Sequence, residues 1–357
     1  MVSIITNWFQ RYFSNSEVTI LWLFIIFIVA IFALFGKMLA PVLASIALAY
    51  LLQGFVARLE RCRVPHAFAV ILVYSAFLGL VIVALLGLLP LLWRQLSNLV
   101  NELPNTLGRG QALLMTLPDR YPHYVSPDQM EQLLGEFRVE FTRIGQLILS
   151  ASFSSIPSII AVVIYLVLVP LLVYFFLMDR YRIIRWLKYF LPAQRRLISQ
   201  VWSEVYAQIG NYVRGKVLEM IIVGIICYVA FVLLGLQYAI LLSALVGLSV
   251  IIPYIGAVVV TVPVLVIGLL QWGWGPHFIY LLITYSIIIA LDANVLVPLL
   301  FSEVVNLHPV AIIIAILIFG GLLGFWGVFF AIPLATLVKA ILYAVSTRHP
   351  EQLNQQR

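Results

Sequence analysis

The chain has 357 residues, of which 64% are apolar and only 10% charged. A water-soluble domain carries about a quarter charged residues, so a soluble globular protein is excluded and lipid must solvate much of this surface. The net charge of +7 does not signal nucleic-acid binding, because the basic residues gather in short loops between apolar runs, the pattern that orients membrane proteins. A spanning β-barrel is excluded too, since the apolar runs do not alternate with polar residues. At ~20 residues per crossing of a ~30 Å hydrocarbon core, the expected fold is an all-α polytopic membrane protein with about eight transmembrane helices.

In chain order, the first span is expected over 18–35. Gly36-Lys37 would then turn tightly into a second span, 38–53, to make a helical hairpin. The first 17 residues lack the small-residue cleavage site of a secretory signal. Arg58, Arg61 and Arg63 mark a basic loop before a third span, 65–93, which is long enough that it must tilt or project from the lipid. Residues 94–150 are polar enough to meet water, yet Leu96, Leu99, Leu103 and Leu107 recur at helical spacing. Ser126-Pro127-Asp128-Gln129 reads as a capped helix start, and Met130, Leu133, Leu134, Phe137, Phe141, Ile144 and Ile148 then line one face. This is the pattern of an amphipathic helical region on the membrane surface or against neighbouring subunits.

A fourth span, 156–178, leads into the most basic stretch of the chain, 179–216, where Tyr181, Trp186 and Tyr189 interleave with arginines as in a headgroup-level helix. The fifth span is 217–236. From Met220 to Leu291 there is no Lys, Arg, Asp or Glu at all. Within that run, Pro253-Tyr254-Ile255-Gly256 and Pro263 interrupt the apolar sequence, so 237–271 either crosses once or enters and returns as a hairpin. Asp292, Asn294 and Pro298 fall inside a sixth span, 278–300; Leu307-His308-Pro309 opens a seventh, and a joint of glycines leads to an eighth ending near Val345. The expected division is thus 1–93, 94–150, 151–178, 179–215, 216–345 and a polar tail, 346–357. With a cytoplasmic N-terminus, loops 54–64 and 179–216 carry 3 and 8 basic residues inside, against 5 basic and 6 acidic outside in 94–150, which fits the positive-inside rule.

The site candidates follow from what lipid penalises. A carboxylate at mid-span costs at least ~2.5 kcal/mol, so such groups face cavities or partners. Asp292 is therefore the first candidate for binding an ion or substrate, with Asn294 and the backbone freed at Pro298 as further oxygen donors. The alternative is a structural carboxylate bonded to a neighbouring helix. Broken backbone at membrane depth is tolerated where protein or a water-filled cavity satisfies it, and it often builds transporter sites. That adds Pro253, Tyr254 and Gly256, against the plainer reading of a proline kink. Glu219, three residues after Lys216, reads as an intrahelical pair or a side chain reaching the interface; ion binding is the sharper reading. Arg214 and Lys216 read as orientation anchors, His308 as a cap, and Gly320, Gly321, Gly324 and Gly327 as close-packing positions or a hinge. Gly210 to Lys216 has phosphate-loop spacing, but Val217 replaces the required Ser or Thr and no strand precedes it, which leaves ATP-driven transport unsupported. Cys62 and Cys227 have no metal-ligand spacing. The chain holds no His-Glu-x-x-His pattern and a single membrane aspartate, so an intramembrane protease is disfavoured.

Pro253-Tyr254-Ile255-Gly256, the run Leu291-Asp292-Ala293-Asn294-Val295-Leu296-Val297-Pro298, Asn306-Leu307-His308-Pro309 and Ala331-Ile332-Pro333-Leu334-Ala335 together resemble the autoinducer-2 exporter family, and within it the PerM-type permeases. Gln208, Tyr212, Arg214 and Gly215 match its pattern before the fifth span. The resemblance covers most of the chain, least distinctively 94–150. It implies an eight-span inner-membrane protein with both termini cytoplasmic, a re-entrant hairpin around Pro253, and homo-oligomers, five-membered rings among them. It further implies export of a small polar signal or sodium/proton exchange, no cofactor beyond Na⁺ or H⁺ as coupling ion, and lipid and a small solute, not nucleic acid, as partners. A passive pore in an oligomeric ring and a scaffold without transport remain the alternatives.

Overall fold

A computed structural model of the chain describes residues 16–114, 156–189, 196–301 and 307–346, together with the isolated positions Gly135 and Arg143. The helix start expected at Ser126 and the polar tail lie outside these residues. Every regular element among them is helical: α1 (Ser16–Arg61), α2 (His66–Val83), a π-helical turn (Ala84–Leu88), α3 (Leu89–Leu114), α4 (Ile156–Met178), α5 (Arg180–Tyr189), α6 (Arg196–Leu234), α7 (Ala239–Ser249), α8 (Ile255–Trp272), α9 (Pro276–Leu291), a second π-helical turn (Asp292–Leu296), α10 (Val297–Phe301), α11 (Pro309–Leu323), α12 (Phe325–Phe329) and α13 (Ala331–Ser346). The protein is an all-α polytopic membrane protein. Five helical stretches are long and apolar enough to cross a bilayer, namely Met38–Arg61, His66–Glu102, Gln208–Leu234, Ile255–Trp272 and Pro276–Phe301; a sixth arises if Val162–Met178 and the bent-over Arg180–Trp186 count as one.

The expected hairpin at Gly36-Lys37 does not form. α1 runs unbroken for 46 residues, roughly 69 Å at ~1.5 Å per residue. A glycine inside a helix costs only ~1 kcal/mol, and in lipid a turn would strip backbone groups of partners that helix continuity supplies. Gly36 lies beside Leu323, where even a β-carbon would make an ordinary contact, 3.9 Å from Cδ2. The seventh and eighth helices fall where they were expected, after His308 and after the glycine joint. α11 and α13 have 15 and 16 residues, roughly 22–24 Å, and fold back on each other through α12.

The chain forms two compact units: residues 1–74, 167–215 and 301–357 in one, and 75–166 and 216–300 in the other. In the first, α11 packs on α1, α12 and α13. Gly324 (φ +62°) ends α11 in a backbone conformation that favours glycine, and Gly327 lets α12 touch α11, because a β-carbon there would sit 1.8 Å from the Phe319 carbonyl oxygen. Gly321 faces open space, so close packing rests on its neighbours. His308 caps α11, its Nδ1 accepting from the Val310 amide at 3.3 Å. Arg214 donates to the Tyr50 hydroxyl (3.1 Å) and lies over the Tyr50 ring.

The second unit holds the continuous core. Val223, Cys227 and Phe231 of α6, Leu242 and Val246 of α7, Val260 and Val264 of α8, and Leu281, Tyr285 and Ile288 of α9 pack together. Leu99 of the expected leucine stripe packs on this core, and α3 contacts both α7 and α8. This part of 94–150 thus packs on the core of its own unit.

Candidate functional site

The question left open over 237–271 is decided by hydrogen bonds. Gln271, at the end of α8, accepts from the Gln237 amide (2.8 Å) and donates to the Gly235 carbonyl (2.8 Å). The end of α8 therefore returns to the level where α7 began. α7 and α8 pack side by side, and α7 has 11 residues, roughly 16 Å, too few to cross. The segment is a helical hairpin that enters and returns to the same end.

Its tip is the Pro253 motif. Gly256 is required by close approach, since a β-carbon there would fall 1.8 Å from the Ser249 carbonyl oxygen. Tyr254 adopts φ +62°, ψ −51°, a sparsely populated conformation costing ~1–3 kcal/mol for a residue with a side chain. Tyr238, before α7, is also left-handed (φ +59°). Strained tyrosines thus bracket the entering helix. α7 seats on α6 through paired glycines: a β-carbon on Gly247 would lie 2.8 Å from the Met220 carbonyl oxygen and 3.1 Å from Gly224 Cα.

The mouth of the hairpin is held by α3. Gln95 Oε1 accepts from the Leu241 amide (2.9 Å), supplying from another helix the cap that Tyr238 does not provide. The Tyr238 hydroxyl donates to Glu102 Oε2 (2.5 Å); burial and that hydrogen bond hold its phenol above the usual tyrosine range. Trp272 and Trp274 sit at this end, as aromatic residues do at a membrane interface.

The deep end carries the charge. Lys216 and Glu219 of α6 are 6% and 2% exposed and form an ion pair at 2.8 Å. Lys216 Nζ also donates to the Val250 carbonyl (2.9 Å), just before the hairpin tip. Sequence spacing gave the pair, but neither residue reaches for water as an anchor would. The Val250 contact had no sequence signal, because it joins residues 34 apart across a charge-free run. Asp292 lies within the electrostatic reach of both Lys216 and Glu219. Its Oδ1 is buried with no hydrogen-bond partner among the described residues.

Asp292 opens the second π-helical turn, in which its carbonyl oxygen accepts from the Val297 amide. Such bulges concentrate at functional positions because the extra residue disrupts the helical ladder. Pro298, exposed at the start of α10, withholds a further amide donor. Asn294 is exposed, and its Nδ2 donates to the Ala290 carbonyl (2.8 Å), closing the local gap while its Oδ1 stays available. From Pro276 to Asp292 is roughly 24 Å along the helix, and from Leu234 to Lys216 roughly 27 Å along α6.

Of the sequence-predicted candidates, Glu219 pairs with Lys216 and Asp292 lies within its field, while the Pro253–Gly256 tip follows Val250, which Lys216 holds, and Asn294 and Pro298 follow Asp292 along the chain. Arg214, His308, Gly321 and Gly324 belong to the other unit and are described there. No group of three or more His, Cys, Asp or Glu side chains that could hold a metal ion occurs among the described residues. Glu219 is thus paired directly with the Lys216 ammonium, and Asp292 lies within its field without an ion pair to it.

Comparison with known proteins agrees with this architecture. The family model described as "AI-2E family transporter" matches residues 18–347. The chain is 43% identical to "Putative permease PerM" of Escherichia coli K12 over 344 residues, covering 96% of this chain and 98% of the relative. It is 28% identical to "Putative transport protein YueF" of Bacillus subtilis, covering 89% and 85%, and 29% identical to "Putative transport protein MT0215" of Mycobacterium tuberculosis, covering 87% and 86%. A multi-pass helical membrane protein with a returning helical hairpin and a matching family model over nearly its whole length, this chain belongs to the AI-2E transporter family.

Proposed function

We propose that the protein is a secondary transporter of the bacterial inner membrane that moves a small polar solute, such as a signalling molecule, with Na⁺ or H⁺ as the coupling ion; sodium/proton exchange would use the same site. The observation that carries this reading is the convergence of Lys216, Glu219 and Asp292 at the tip of the α7–α8 hairpin. Lys216 tethers the tip through Val250 and balances Glu219, while Asp292 keeps a buried oxygen unused. An ion or proton arriving at Asp292 changes the charge that Lys216 sees. That shifts the balance between the ammonium's pairing with Glu219 and its bond to Val250, so ion binding and hairpin position are linked. Coupling of this kind requires differential affinity between two states, and the Lys216 link between Glu219 and the Val250 carbonyl is where that difference would arise.

The test is flux across liposomes containing the purified protein, under imposed Na⁺ and H⁺ gradients. Gradient-dependent, saturable solute flux is expected from the wild type, and Asp292→Asn should lose it while inserting normally. Wild-type flux from Asp292→Asn would refute the site. Non-saturable flux indifferent to both gradients would show a pore, and no flux of ion or solute would favour a scaffold.

A further inference from the structure

Away from the transport site, the cytoplasmic-type loops of the first unit converge on one elbow. After α4 the chain bends by 82° into α5, so an α4 that crosses the bilayer would lay α5 close to the membrane plane. α5 contains four basic residues and no acidic one. At about 100° per residue, Ile183 and Ile184 fall on one arc, and Arg182, Arg185 and Tyr181 fall towards the other. Arg182 and Arg185 are exposed and have no acidic partner among the described residues. Tyr181 and Trp186 are each 62% exposed, and the Arg180 guanidinium lies over the Tyr181 ring at 5.8 Å.

The second basic segment reaches the same place. His66, at the start of α2, approaches the Met178 carbonyl with Nε2 (3.3 Å) and the Tyr181 ring at 6.1 Å between centroids. Its Nδ1 engages Glu60 at 2.6 Å. The end of α1, with Arg58 and Arg61, and the turn at Arg63 are thereby fixed beside the α4–α5 elbow; of the two acids there, Glu60 is occupied by His66 and Asp179 sits at the bend itself.

We propose that this elbow is a binding surface for anionic phospholipid. Arg182 and Arg185 take the headgroup phosphates, Ile183 and Ile184 rest at the acyl boundary, and Tyr181 and Trp186 sit at the level between. The three features that argue for this occupant are a basic helix bent 82° from the apolar helix before it, arginines with no acidic partner among the described residues, and exposed aromatics, the combination by which amphipathic basic helices select anionic leaflets. Guanidinium suits a phosphate because its planar donors pair with two oxygens at once. The proposal does not depend on the transport reading and would hold equally for a pore or a scaffold.

Native mass spectrometry of the full-length protein, equilibrated with phosphatidylglycerol and phosphatidylcholine in competition, tests it. The wild type should retain phosphatidylglycerol preferentially, and raising salt should erode that preference. Arg182→Gln with Arg185→Gln should weaken phosphatidylglycerol retention roughly 30-fold, or about 2 kcal/mol at ~1 kcal/mol per basic residue, whereas lysine at both positions should preserve most of it. Equal retention of the two lipids by the wild type, or an undiminished preference in the glutamine variant, overturns the proposal. Should the glutamine variant fail to purify as folded protein, the wild-type preference and its salt dependence decide alone: a salt-insensitive or absent preference overturns it.

Discussion

Replacing Lys216 by methionine separates the tether from the packing, because methionine fills a similar volume without charge. The ammonium is 6% exposed and Glu219 2% exposed, so the substitution leaves a carboxylate buried without its 2.8 Å partner. It also leaves the Val250 carbonyl without the 2.9 Å donor that Lys216 supplied. Removing one member of a buried pair costs ~3–5 kcal/mol, and an orphaned buried acceptor ~1–3 kcal/mol. In a bilayer the unfolded reference also finds partners for its polar groups, so the lower end, about 3 kcal/mol, is expected for Lys216→Met. The double variant Lys216→Met/Glu219→Gln removes both charges, and it should regain about 2 kcal/mol of that loss while still failing to transport. Reversible unfolding in mixed micelles, run as a double-mutant cycle with liposome flux measured on the same preparations, reads both quantities. The reasoning is refuted if Lys216→Met is as stable as the wild type, or if neutralising Glu219 alongside it restores nothing.

Four further outcomes are expected. Asp292→Asn should abolish gradient-driven flux with little change in unfolding free energy, since its Oδ1 has no protein partner to lose among the described residues; flux under Na⁺ and H⁺ gradients checks it. Gly256→Ala should destabilise by about 1–3 kcal/mol, because its β-carbon must push aside the Ser249 carbonyl, and it should impair transport in the same preparation. Gln95→Ala should leave the Leu241 amide uncapped and cost about 1 kcal/mol, which hydrogen exchange would show as faster opening of the first turn of α7 with α9 unaffected. Tyr254→Gly should relieve the positive φ at the hairpin tip and stabilise by about 1 kcal/mol; a loss of stability on unfolding would show instead that the tyrosine ring holds the tip.

Sequence alone determined the class of the molecule and the identity of its unusual residues. Hydropathy is a sum over ~20 neighbouring residues, so membrane helices are legible without any tertiary knowledge, and lipid makes a lone Asp292 or a Pro253–Gly256 break conspicuous. The Lys216–Glu219 pair was legible too, because residues three apart in a helix are neighbours whatever surrounds them. Tertiary structure decided what depends on distant contacts. Gly36 was compatible with a turn or with helix continuity, and packing against Leu323 goes with the latter. The fate of 237–271 turned on Gln271 meeting Gln237 and Gly235, and the tether of the tip on Lys216 meeting Val250. Those bonds join side chains to backbone groups, and every residue carries the same backbone groups. No pattern of residue types marks which carbonyl or amide will be met, so only the packed chain reveals it.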